Sequence, residues 1–197
     1  MDSEKLNSPE NKFSKFERFF GSDERKEAFL NQVLSREDIE NPDFVFHLTS
    51  LRSIKTRETG VADDKWFSFS KDAFLSLVML NFRFLEKLSH PGFAITDENS
   101  CKPIFVIGDY RVMQSADDFD ERSGLEKGHE VEIKIPFSKL LESSLMVSNA
   151  QEMDELIEYL TQTTSSSKQK DLALRGLNDN FDKWQDVERL VQEKMEK

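Results

Sequence analysis

Apolar positions along this chain recur first with a helical period, then with a strand period, then with a helical one again. Near the start, Phe13, Phe16 and Phe20 fall three and four apart, which predicts a short helix docked on a core. Residues 23–34 gather Phe29, Leu30, Val33 and Leu34 on one face behind Ser22, a good N-cap. From Phe44 the pattern turns strand-like. FVFHLTS (44–50) is a compact apolar run, WFSFS (66–70) alternates aromatic and serine, PIFVIGDY (103–110) is β-branched and aromatic, and HEVEIKI (129–135) alternates strictly. Residues 72–88 interrupt these strands with Leu75, Val78, Met79, Phe82 and Leu85 at three- and four-residue steps, predicting a long buried helix ended by His90-Pro91-Gly92. Past Pro136 the helical period returns in 151–162 (Met153, Leu156, Ile157, Leu160) and in 179–196 (Phe181, Trp184, Val187, Val191, Met195). The polar run TQTTSSSKQK (161–170) between them reads as a flexible connection.

The expected fold class is therefore α+β. Residues 1–40 form an N-terminal helical extension, 41–145 a strand-rich core, and 146–197 C-terminal helices packed on the same domain. A length of 197 residues suits one domain with a real core, and 17 Phe supply large buried areas to a chain that is 33% charged. The longest apolar run, 73–80, is far short of the roughly 18 residues of a membrane span. The N-terminus MDSEKLNSPENK has no signal-peptide pattern, and the single Cys101 fits a reducing compartment. The expected location is the cytoplasm, with no membrane partner.

A formal net charge of −11 opposes non-specific binding to a phosphate backbone, so a protein target or partner is expected ahead of nucleic acid. The segment KFSKFERFF interleaves cations with phenylalanines, but its helical spacing is that of a docking face. Other chemistries drop out by spacing. His47, His90 and His129 lack any HExxH arrangement, so no metal site is expected. No GxxxxGK[ST] or GxGxxG loop occurs among 7 glycines, which removes P-loop, kinase and Rossmann readings. Cys101 has no neighbour that would activate it.

What remains is an ordered series: His47 within FHLTS, a second strand FSFS, a helix, a core strand ending in IGDY, an acidic loop with Glu121, and the strand HEVEI. This order resembles the ADP-ribosyltransferases with a histidine at the first motif position and, more loosely, small phage and toxin members of that superfamily. The resemblance covers about residues 44–136. It implies a split β-sheet core flanked by N-terminal and C-terminal helices, NAD as the substrate cofactor, and transfer of ADP-ribose to a macromolecular target in a bacterial or phage setting. Carried over by position, it implies that His47, Thr49, Ser50, Ser68 and Ser70 bind NAD and that Glu121 or Glu130 is catalytic. DDFDER favours Glu121, the first choice; the start of HEVEI favours Glu130, with Glu132 two residues on along the same face. Neither has Glu or Gln two residues before it, since Phe119 and Gly128 stand there, so the pattern departs from the arginine-directed type.

The chemistry suits these residue types. Breaking the nicotinamide–ribose bond builds positive charge on the ribose, which a carboxylate held beside it stabilises more than it stabilises the ground state. A neutral histidine donates one hydrogen bond and accepts another, which suits a ribose diol. The other class of reading is a non-enzymatic acidic binding protein, such as a phage-type inhibitor that presents negative charge to a basic groove, or a chain that answers to an inhibitor or antitoxin partner. NAD raises the melting temperature of the enzyme and not of such a binder.

Overall fold

The computed structural model describes residues 12–34, 42–58, 67–123, 130–165 and 167–196. Among these residues six strands form one antiparallel sheet: β1 Phe44–Ser50, β2 Phe67–Ser70, β3 Pro103–Asp109, β4 Asp120–Ser123, β5 Glu130–Lys134 and β6 Ser144–Val147. Their order across the sheet is β4-β5-β2-β1-β3-β6. With helices on its faces, the molecule is α+β, as the periodicity predicts. Trp66 and His129, expected at strand starts, lie outside the described residues.

The pairing along the sheet is uneven. β1 and β3 stay in register from Phe44↔Asp109 to Ser50↔Pro103, whereas β1 and β2 share the single pair Phe46↔Ser70. The sheet is thus two three-stranded halves, β6-β3-β1 and β2-β5-β4, joined at that pair.

Strand alternation sorts β1 into two cores. Phe44, Phe46 and Leu48 enter the larger one with Phe105 and Ile107, under helices α1 (Ser14–Phe20), α2 (Asp23–Leu34), α4 (Ala73–Leu80), α8 (Ala150–Thr163) and α9 (Lys168–Met195). Val45 enters the smaller one with Phe67, Phe69, Val131 and Ile133, closed by Ile54 of α3 (Leu51–Glu58), Tyr110 and Met113 of α6 (Tyr110–Gln114) and Leu140 of α7 (Phe137–Glu142). The docking face of α1 forms as its spacing predicts: Phe16 and Phe20 are buried, and the Phe20 ring lies 5.3 Å from Phe29, itself 5.5 Å from Phe44. Each such burial contributes about 1.5–3 kcal/mol.

Segment 72–88 is helical, but its buried stripe is not the expected one. Asp72 accepts hydrogen bonds from the backbone of Phe74 and Leu75, and the phase this cap sets buries Ala73, Leu77, Leu80, Phe84 and Leu88. Leu75, Val78 and Phe82 are exposed instead, Phe82 by 63%. A π-helical turn, Asn81–Leu85, leads into α5 (Glu86–Ser89) and shifts the phase within the run.

The expected flexible connection 161–170 is also corrected. α8 continues to Thr163, the hydroxyls of Thr161 and Thr163 donating to the carbonyls of Ile157 and Tyr159 one turn back, and α9 begins at Lys168. The buried Lys170 ammonium closes the turn on the carbonyls of Thr161 (2.8 Å) and Thr164 (2.6 Å). Part of the expected acidic loop is strand β4, and SLMV, too short to carry a period, is edge strand β6.

Candidate functional site

Beyond Phe46↔Ser70 the helix, not β2, satisfies β1. Ser76 Oγ of α4 donates to the Phe46 carbonyl at 3.1 Å, and Arg83 Nη1 of the π-helical turn donates to the Leu48 carbonyl at 3.2 Å. Buried carbonyls need partners, so these two side chains let the halves of the sheet part without orphaned backbone. The result is a junction whose walls are the last residues of β1 and the first of β2.

His47 sits at this junction. Its half-buried ring lies 5.5 Å from the Phe69 ring and is hydrogen-bonded to the backbone of Ser68 on the facing strand. Burial, then the charges of Arg83 and Arg57, outweigh that bond and lower its pKa to about 4. The imidazole is therefore neutral near pH 7. Arg57 comes from α3, its guanidinium carbon 3.7 Å from the centroid of the Phe67 ring. Burial lowers its pKa as well, and its Nη1 is buried without a hydrogen-bond partner.

The other expected NAD residues are only partly free for a ligand. Ser70 is buried and both donates to and accepts from the Asp72 backbone, which turns the chain into α4. Ser50 accepts from the Ser53 N–H and caps the start of α3. Thr49 is buried, paired with Ile104. Ser68 is exposed, in register with Glu132. Alternation puts Ser68 and Ser70 on the face of β2 opposite Phe67 and Phe69, whereas His47 meets the Phe69 side. What joins the two motifs is the bond from His47 to the Ser68 backbone, not a shared face.

The two rival glutamates stand differently. Glu121 pairs with Ile133, on the face of the smaller core, and accepts a hydrogen bond from the Tyr110 hydroxyl. That contact and burial raise the Tyr110 pKa, burial contributing most. Glu130 is the register partner of Ser70, whose row also contains Phe46, the neighbour of His47. β5 and β1 flank β2, so they run roughly 10 Å apart at this point, twice the spacing of adjacent strands.

A cleft of about 870 Å³ opens beside this region, lined by Arg57, Asp118, Asp120, Lys134, Phe137 and Leu141 among others; His47 is not part of its wall. Comparison with known proteins gives no match: no family model fits the chain, and no curated protein or solved structure is similar to it. Among the described residues no group of His, Cys, Asp and Glu could hold a metal ion, and no helix is long and apolar enough to cross a membrane.

Sequence reasoning overlooked Arg57 and Arg83. Arg83 carried a signal, as the lone cation between Ala73 and Leu85 in the most apolar stretch of the chain. Arg57 carried none, since 51–58 has no strong periodicity of its own.

Proposed function

We propose that the protein is an NAD-dependent ADP-ribosyltransferase that holds NAD at the junction of the two half-sheets. The observation that carries this reading is the adjacency β5-β2-β1: the strands with the glutamate, serine and histidine positions are consecutive, and the sheet parts between β1 and β2 beside His47. Of the two glutamates, the reading takes Glu130, on the strand next to β2, while Glu121 lies one strand further out and is engaged by Tyr110; Glu130 shares the sheet face of Ser70 and His47 has the opposite one, so in this reading the substrate straddles the parting between β1 and β2.

In this reading His47 stays neutral and hydrogen-bonds a ribose hydroxyl. The glycosidic C–N bond breaks, its electron pair leaves on the nicotinamide nitrogen, and the Glu130 carboxylate stabilises the resulting ribosyl cation. The acceptor nucleophile bonds to the anomeric carbon and gives up its proton. The acidic surface favours a protein acceptor over nucleic acid.

The test is incubation with labelled NAD and a bacterial lysate, followed by protease or nuclease. Label that enters macromolecules and is released by protease supports the reading. Absence of any nicotinamide release, together with no rise in melting temperature with NAD, transfers the case to the acidic binding protein.

A further inference from the structure

We infer that Arg57 and Arg83 form a binding site for a phosphoryl anion, a phosphate or diphosphate group, at the junction between β1 and β2. Three observations converge on it.

The first is an unmet hydrogen-bonding capacity. Among the described residues three buried side-chain atoms have no partner, Arg57 Nη1, Ser144 Oγ and Trp184 Nε1, and only the first belongs to a charged group. A buried charged donor without an acceptor is costly, and an anion that arrives with a ligand relieves it.

The second is the absence of an ion pair at either arginine. The chain has 38 Asp and Glu against 27 Lys and Arg, and Arg25, Arg52, Arg111 and Arg189 all make ion pairs. Among the described residues Arg57 and Arg83 make none, nor do the exposed Arg18 and Arg175; of these four only Arg57 has a buried nitrogen without a partner.

The third is preorganisation. Stacking on Phe67 fixes the plane of the Arg57 guanidinium, and the Leu48 carbonyl tethers Arg83 through one nitrogen, leaving its other donors available. Continuing the register of Phe46↔Ser70 puts Leu48, whose carbonyl Arg83 holds, across the parting from Ser68, the neighbour of Phe67 on which Arg57 stacks, so the two guanidiniums approach one gap from its two sides. Arg57 also lines the 870 Å³ cleft, through which a ligand can enter. Glu58, Asp118 and Asp120 line that cleft too and repel an anion, so it is held at Arg57 and not along the rest of the wall. Planar guanidinium forks match phosphate oxygens two at a time. That the phosphoryl group is the diphosphate of NAD rests on the transferase reading; the anion site does not.

The test is calorimetric titration of the full-length protein with inorganic phosphate, pyrophosphate, NAD and nicotinamide riboside, which lacks the diphosphate. Wild type is compared with Arg57→Gln, Arg83→Gln and, as a control for charge alone, the exposed Arg18→Gln. Pyrophosphate is expected to bind wild type and Arg18→Gln alike, and Arg57→Gln and Arg83→Gln about ten- to a hundredfold more weakly. A preference for phosphate over pyrophosphate identifies a free-anion site; a preference for NAD identifies a nucleotide one. If Arg57→Gln fails to fold, Arg57→Lys keeps the charge but not the stacked fork, and is expected to lose part of the affinity. Equal pyrophosphate binding by all variants, or none by wild type, overturns the inference. Arginine-dependent pyrophosphate binding without any NAD binding upholds the anion site and sinks the transferase reading instead.

Discussion

Arg83 Nη1 meets the Leu48 carbonyl at 3.2 Å, one residue along the strand from His47, at the place where β2 has ceased to pair with β1. A helix side chain thus does the work of a missing strand, and the same helix does so again at Phe46 through Ser76. These substitutions for strand pairing keep the junction open.

Removing the deeper of the two contacts leaves a carbonyl without a partner. Ser76→Ala is expected to destabilise the protein by about 1–3 kcal/mol, read from the midpoint of urea unfolding. Arg83→Gln, at an exposed residue whose bond to the Leu48 carbonyl is only part-buried, is expected to cost about 1 kcal/mol or less. Equal and negligible effects contradict this account of the junction.

His47 gives the protein a pH dependence of defined sign. Its folded pKa, about 4, lies below the ordinary 6.5, so between those values the unfolded chain binds a proton that the folded chain does not. Stability is fully present above pH 6.5 and falls on acidification towards pH 4, by at most about 3 kcal/mol. His47→Gln is expected to flatten that part of the stability profile, and an NMR titration of the wild-type imidazole to show no protonation down to about pH 5. An imidazole that titrates near 6.5 contradicts the environment described.

Within segment 72–88 the exposed and buried aromatics are expected to differ sharply. Phe82→Ser changes stability by about 0.5 kcal/mol or less, whereas Phe84→Ala costs about 3–5 kcal/mol. Thermal or urea unfolding of both variants decides it.

That segment also marks where sequence reading succeeds and where it stops. Strands β1, β2, β3 and β5 were legible because their faces are strongly biased, as were α1, α2 and α8, whose apolar stripes are sparse enough to have one phase. In 72–88 nearly every position is apolar, so no stripe stands out, and the phase was set by Asp72 and by the π-helical turn. β4 and β6 are four-residue edge strands without a readable period. At the site, His47 was legible as a polar residue in an apolar strand. Ser50 and Ser70 looked equally polar, yet their hydroxyls serve a helix cap and a turn, a distinction that only the fold makes.

The pair Tyr110 and Glu121 is expected to be structural. Alkaline titration by ultraviolet absorbance is expected to find one of the two tyrosines ionising well above pH 10, and Glu121→Gln to lower that value by exchanging a charged acceptor for a neutral amide oxygen. An unchanged titration in Glu121→Gln means that the hydrogen bond does not hold in solution.

The most direct test of the transferase account is the rate of nicotinamide release from NAD by wild type, Glu130→Gln and Glu121→Gln at pH 7.5. Loss of a preorganised charge opposite a developing cation typically costs about 2.7–4 kcal/mol, or roughly a hundred- to a thousandfold in rate. The account predicts that loss in Glu130→Gln and a rate within about threefold of wild type in Glu121→Gln. Release by Glu130→Gln at the wild-type rate, or no release by the wild type itself, contradicts it.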